Sequence, residues 1–152
     1  MSTPQLTVAF NHLRKLKLKP VLQSKPVSYI SFNLAKKITA ELFIQPENRQ
    51  QLLINLTVTM DTDLSEQVDL FCLSLAPHLT PVTLTSTGKE LLLQLDTVTS
   101  LSKITDSIDE SIILIRHSTG IAFQAALKLN REPDSLPRSL TWAIEQLATD
   151  WA

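Results

Sequence analysis

Three consecutive stretches of the chain alternate apolar and polar residues with a period of two. Ile30, Phe32 and Leu34 share one face of the first stretch, and Ile38, Ala40, Leu42 and Ile44 one face of the second. Leu52, Ile54, Leu56, Val58 and Met60 share one face of the third. Successive side chains of a strand point to opposite faces, so each stretch predicts a strand buried on one side. Short polar joints predict antiparallel hairpins between them. The joints are Ala35-Lys36-Lys37 and the turn-forming run from Gln45 to Gln50. Val82–Leu84 and Leu91–Leu95, around Thr87-Gly88-Lys89, predict two further strands.

Helical spacing frames these strands. Thr3-Pro4 predicts an N-cap and a first helical position, Leu6, Phe10, Leu13 and Leu16 recur at steps of three and four, and Lys19-Pro20 ends the run. After the third strand, Asp61-Thr62-Asp63 predicts a cap for a helix from Leu64 to Ala76. Its apolar positions, Leu64, Val68, Leu70, Phe71, Cys72, Leu73 and Leu75, run nearly all round it. Such a helix needs cover on two sides, the sheet on one and, by expectation, a second subunit on the other.

Thr99-Ser100 predicts the start of a long helix with Leu101, Ile104, Ile108, Ile112, Ile115, Ala122, Ala126 and Leu129 in one seam. Thr119 interrupts the seam, and Gly120 is a candidate kink. After a loop over Asn130–Ser135, Pro137 opens a last helix with Leu140, Ile144, Leu147 and Trp151 on one stripe. The expectation is an α+β fold: a twisted antiparallel sheet of about five strands with packed helices, in the order α-β-β-β-α-β-β-α. One domain would span 1–130, with a C-terminal helical extension over 131–152 packed on it.

Composition narrows the function. Of 152 residues, 43% are hydrophobic and 19% charged, which is enough apolar material for a core and excludes disorder. No apolar run reaches the ~18 residues of a membrane span. The two glycines, Gly88 and Gly120, are far apart, so no glycine-rich loop can bring backbone amides onto a phosphate. The single cysteine, Cys72, can form neither an intramolecular disulfide nor a zinc site alone. The start shows no charged region followed by an apolar stretch, so a cytoplasmic location is expected. An acid-free amphipathic start is also the composition of an organelle transit peptide, but few serines and one arginine speak against that.

Catalytic constellations are wanting. His12, His78 and His117 are not spaced as ligand pairs, and no Gly-x-Ser-x-Gly elbow exists. Lys103, Asp106, Glu110 and His117 fall on one helix face that reads as solvated. Cys72 and His78 form a conceivable thiol–imidazole pair, but cysteine within an apolar helix behaves as a small hydrophobe. The expectation is a non-enzyme with no cofactor, no metal and no catalytic residue.

Charge is uneven. Residues 1–40 hold Arg14, Lys15, Lys17, Lys19, Lys25, Lys36 and Lys37 and no acid, while the rest holds the other seven bases and all fifteen acids. The basic end is expected against the protein's own acidic surface or that of a dimer mate. The alternative is a nucleic-acid- or anionic-surface-binding module. Nucleic acid is disfavoured, because only Phe10, Tyr29 and Phe32 are aromatic in residues 1–40 and no RNA-reading motif appears. Opposite the core face of the sheet, Val27, Tyr29, Phe43 and Leu53 interrupt polar positions and form a candidate patch for a partner.

The element order, with a strongly apolar middle helix, resembles the class I chaperones of type III secretion systems, closest to the subclass serving several effectors. The likeness runs from about Leu6 to Leu129. It is carried by Val27-Ser-Tyr-Ile-Ser-Phe-Asn-Leu, Ile38-Thr-Ala-Glu-Leu-Phe-Ile, Leu52-Leu-Ile-Asn-Leu, the helix Leu64–Leu75 and Glu90-Leu-Leu-Leu-Gln-Leu. The resemblance implies a cytoplasmic homodimer that holds the extended N-terminal segment of a secreted effector and hands it to the export apparatus and its ATPase. It assigns effector contact to Phe10, Leu13, Leu16, Ile30, Phe32, Phe43 and Leu53, which Tyr29 joins from the patch above. It assigns the dimer interface to Leu64, Val68, Phe71, Cys72 and Leu75. A non-enzymatic assembly adaptor of similar topology is the other reading of the same pattern.

Overall fold

Strict alternation is met by a sheet with one dry face. The computed structural model describes residues 4–25, 27–35, 38–61, 68–86, 90–132 and 136–151. It is α+β, with four helices and a six-stranded antiparallel sheet. The elements are α1 (Pro4–Lys15), β1 (Val21–Gln23), β2 (Tyr29–Ala35), β3 (Ile38–Pro46), β4 (Leu52–Asp61), α2 (Val68–Leu75), β5 (Thr83–Ser86), β6 (Glu90–Thr99), α3 (Ile104–Arg131) and α4 (Leu136–Trp151). The sheet order is β1-β2-β3-β4-β6-β5. Thr3, Lys36-Lys37, Thr62-Asp63, Leu64, Thr87–Lys89 and residues 133–135, each part of an expectation above, lie outside the described residues.

Two compact units share the chain, one of residues 1–58 and 94–115, the other of 59–93 and 116–152. In the first, the register sets Ile30 against Leu42 and Leu42 against Leu56, and Phe32 against Ala40 and Ala40 against Val58. These residues, with Leu34 and Ile54, are buried, as the alternation predicts. Leu6, Ala9 and Leu13 of α1, which packs on β2, and Ile104, Ile108, Ile112 and Ile115 of α3 are buried in the same unit. Two hydroxyl pairs tie β6 to α3: Thr97 Oγ1 lies 3.1 Å from Ser111 Oγ, and Ser107 Oγ donates to Thr99 Oγ1 at 2.6 Å. Between β3 and β4, Asn48 Oδ1 accepts the amides of Gln50 and Gln51, each at 3.0 Å, which closes the expected turn.

Helix α1 ends four residues earlier than Lys19-Pro20 implies, for a local reason. Leu18 N–H donates to the Leu13 carbonyl and Lys17 N–H to that of Arg14, the Schellman arrangement that satisfies the last carbonyls of a helix. That cap needs a left-handed residue, and Lys17 supplies it with φ 62°, followed by Lys19 at φ 52°. The reversal frees Val21–Gln23 to pair with β2 as a sixth strand, too short for alternation to reveal. At the start of α3, Leu101–Lys103 form a 3-10 turn and Leu101 is exposed, so the apolar seam begins at Ile104.

In the second unit α2 packs on α4 and β5. Phe71, Cys72 and Leu75 are buried there, as are Leu79, Val82, Leu84, Leu91 and Leu93. The expected extension over 131–152 belongs to this unit through α4. Among its described side chains Ser139, Ala143 and Leu147 are buried, whereas Leu140 and Ile144 are half-buried; the side chain of Trp151 lies outside the described residues. Small residues on the contact face, with Ala122, Ala125 and Ala126 of α3 also buried, let helices approach closely. Helix α3 runs without interruption through Gly120, so that residue is no break.

Two exchanges of opposite sense follow. A Cβ added at Gly120 would have no heavy atom within 4 Å, so Gly120→Ala should stabilise the helix by about 1 kcal/mol. Lys17→Gly should recover roughly 1 kcal/mol of left-handed strain. Urea unfolding of each variant checks both, and a loss of stability in either contradicts the geometry described.

Candidate binding surfaces

Among the described residues, three surfaces bear on the expected contact residues, and they divide them differently from the sequence pattern. Leu13, Ile30 and Phe32 are at most 1% exposed. They belong to the subunit's own core, and a partner cannot reach them in this conformation. Phe10, Tyr29, Phe43 and Leu53 are half-buried and Leu16 is exposed, so these five remain available.

The first surface lies along α1 and β1. Leu6, Thr7, Phe10 and Leu22 line a groove of about 140 Å³. Val8, Leu16, Val21, Leu22 and Val27 are exposed in this part of the chain, Val21 at 53% and Val27 at 57%. Among the described residues, strand β1 pairs on one side only. The Arg14 guanidinium carbon lies 5.9 Å from the centroid of the Phe10 ring. A short strand with a free edge beside an apolar groove can accept an extended chain, whose backbone pairs while alternate side chains enter the groove. Val21 and Leu22 were missed because a three-residue strand carries no periodicity to read.

The second surface is the outer face of the sheet in the first unit. Tyr29 and Phe43 stack with ring centroids 4.8 Å apart. Beside them Glu41, Gln45, Leu53, Asn55, Thr57, Gln94 and Asp96 border a shallow concavity of about 530 Å³. A hydrogen-bonded row crosses it. Asn55 Nδ2 donates to Asp96 Oδ1 at 2.6 Å, Thr57 Oγ1 donates to Asn55 Oδ1 at 2.6 Å, and Gln94 Nε2 reaches Thr57 Oγ1 at 3.4 Å. Every side chain in that row is a strand residue pointing away from the core, so this face is polar by construction, with an aromatic island in it.

The third surface belongs to the second unit. Cys72, Leu73, Ala76, Pro77, Val82 and the whole of β5 line a mostly apolar groove of about 730 Å³. Of the expected dimer residues, Phe71 and Leu75 are 0% exposed and Cys72 is 6% exposed, so they fill the subunit's interior. Leu64 lies outside the described residues, and Val68 begins α2. What α2 presents outward is Leu70, 53% exposed, and Leu73, 74% exposed. Among the described side chains of α2, Phe71, Cys72 and Leu75 face inward and Leu70 and Leu73 face out.

Titratable chemistry collects at one place. His12 Nε2 of α1 lies 2.7 Å from Asp109 Oδ1 of α3, with side chains 17% and 45% exposed. Lys103, Asp106 and Glu110 are exposed, His78 is exposed, and His117 is half-buried. Among the described residues no group of three His, Cys, Asp or Glu side chains could hold a metal ion. In the second unit the Lys128 ammonium sits 3.7 Å from the centroid of the Trp142 ring, a cation–π contact between α3 and α4. Ninety-seven residues separate His12 from Asp109, and no spacing rule connects them.

The His12–Asp109 contact ties the helix bordering the first groove to the long helix. Asp109→Ala should cost about 1 kcal/mol, the modest worth of a partly exposed charged hydrogen bond. Hydrogen exchange of α1 should then be faster in the variant than in the wild type, with β3 unchanged; equal protection of α1 in both proteins would refute this role. No helix among the described residues is long and apolar enough to cross a membrane. No protein-family model matches the sequence, and no curated protein matches it, so the functional reading rests on these surfaces.

Proposed function

We propose that the chain is a non-catalytic chaperone of the class I type III secretion kind, a cytoplasmic homodimer that keeps an extended segment of a secreted protein export-competent. One observation carries the reading. The open edge of β1 adjoins the groove of Leu6, Thr7, Phe10 and Leu22, with Val21 and Leu22 exposed along it. A segment laid on that edge stays extended because its backbone is engaged, and its apolar side chains gain about 25 cal/mol for each Å² they bury. Release then requires work from an export ATPase.

The second copy would join through α2. Leu70 and Leu73 are large and exposed, and Leu73 lines the groove beside β5, the other edge of the sheet. Burying a leucine side chain is worth roughly 1.5–3 kcal/mol, so two per subunit make a substantial contribution to a dimer. The rival reading has its own observation: Arg14, Lys15, Lys17, Lys19 and Lys25 are all exposed, as an anion-binding end requires. Salt separates the two, since binding through phosphates weakens steeply with ionic strength and apolar binding does not.

Affinity capture from the native host, followed by limited proteolysis and mass spectrometry, should recover a secreted protein protected over an N-terminal segment. The complex should survive roughly 1 M salt, where the screening length is ~3 Å. Leu22→Asp should weaken it about tenfold, the equivalent of ~1.4 kcal/mol. Leu73→Glu should convert the dimer to a monomer in light scattering. Nuclease-sensitive, salt-labile material in place of a protected segment overturns the chaperone reading, and an unchanged mass refutes the α2 interface.

A further inference from the structure

The described strands carry no lysine, arginine or histidine. Their charged side chains are Glu41, Asp61, Glu90 and Asp96, each at a position alternating away from the buried face. In the first unit, Glu41 and Asp96 border the same concavity as Phe43, which stacks on Tyr29. Aromatic faces attract ammonium and guanidinium groups, and carboxylates beside them add Coulomb attraction. The face is thus built for a cation. Asp96 is held in place by the Asn55 amide and keeps acceptor capacity to spare, because a carboxylate has about four lone-pair sites.

The same unit also presents the complementary surface. Between α1 and β1 the chain makes a fixed basic knuckle: Lys17 and Lys19 both hold left-handed backbone, and the Leu18 carbonyl between them accepts the Asn33 amide at 2.8 Å. Arg14, Lys15 and Lys25 flank it, and all five side chains are exposed. Among the described residues none of the five pairs with a carboxylate of its own subunit, and Glu41 pairs with no cation. The two surfaces are opposite in charge, and the fold leaves them unneutralised by each other.

We infer that the acidic, aromatic outer face of the sheet receives the basic α1–β1 knuckle of a second copy of this chain. Each subunit offers one knuckle and one face, so a two-fold arrangement satisfies both pairs at once, and a head-to-tail arrangement satisfies them in series. This contact is independent of the α2 contact proposed above, because it uses other residues and a salt-sensitive interaction.

Sedimentation velocity of the full chain tests it, in the wild type and in a Leu73→Glu background that removes the α2 contact. Measurements bracket the roughly 0.1 M ionic strength at which the screening length is ~10 Å. In the Leu73→Glu background the mass should fall to that of the monomer as salt rises, and in the wild type to that of the salt-tolerant α2 dimer. Charge reversal of the knuckle (K15E with K17E and K19E) or of the face (E41K with D96K) should each weaken the low-salt contact about tenfold or more. An equimolar mixture of the two reversed proteins should associate again, because each then meets its opposite. The milder pair E41Q with D96N, its fold checked by circular dichroism, should weaken the contact without reversing it. A mass indifferent to salt, reversed proteins that associate as the wild type does, or a mixture that stays dissociated each overturns the inference. Failure of the α2 reading alone appears separately, as a mass that still falls with salt and does so identically in the wild type and in Leu73→Glu.

Discussion

One-sided burial of the sheet is the constraint on which the rest depends. In the first unit Ile30, Phe32, Leu42, Ile54, Leu56 and Val58 form a dry surface on one face, and slipping any strand by one residue would turn that surface outward. Register is therefore strongly specified, and with it the composition of the opposite face. Tyr29, Glu41, Phe43, Asn55 and Thr57 share that face because their neighbours in sequence are buried. Position along a strand, more than any feature of these five side chains, brought them together.

The same constraint explains where apolar surface is left over. An antiparallel sheet ends in two strands with unpaired backbone groups, and proteins keep such edges short to discourage indiscriminate pairing. Here β1 has three residues and β5 has four. Each adjoins a groove, one lined by Leu6, Phe10 and Leu22, the other by Leu73, Ala76 and Val82. A short edge alone gives few hydrogen bonds, and a groove alone gives no direction. Together they favour a chain that is extended and carries apolar side chains at the right spacing, which is a more selective requirement than either makes singly.

How much of this was legible in the sequence follows from the range over which each signal acts. The strands β2, β3 and β4 were readable because alternation accumulates over seven to ten residues. The long helix was readable from Ile104 to Leu129 for the same reason. Strand β1 was invisible, since Val21-Leu22-Gln23 is shorter than any period can establish. The end of α1 was misplaced because Pro20 is a visible stop, whereas a lysine adopting the conformation usual for glycine at Lys17 is not. Among contact residues, the periodic pattern could say that Leu13, Ile30 and Phe32 were apolar and aligned. It could not say whether the aligned face met the subunit's own helices or a partner, because both uses demand the same spacing. Phe71 and Leu75 raised the same ambiguity on α2, and burial resolved it in favour of the interior while leaving Leu70 and Leu73 outside.

The kinds of surface also differ in what they can contribute. Exposed ion pairs are worth ~0–1 kcal/mol each, so a basic knuckle on an acidic face cannot match the affinity of buried leucines. Their strength lies in direction. With a net charge of −1 the chain has almost no overall field, yet seven bases and no acid in its first forty residues give it a strong internal asymmetry. Two such molecules attract or repel according to how they are turned, over distances of about a Debye length, roughly 8 Å at physiological salt. Orientation is therefore selected before apolar contact begins, and the apolar surfaces need supply only persistence. The proposed charge-steered contact is therefore reversible with conditions, and the basic residues it uses do not line the grooves beside β1 and β5.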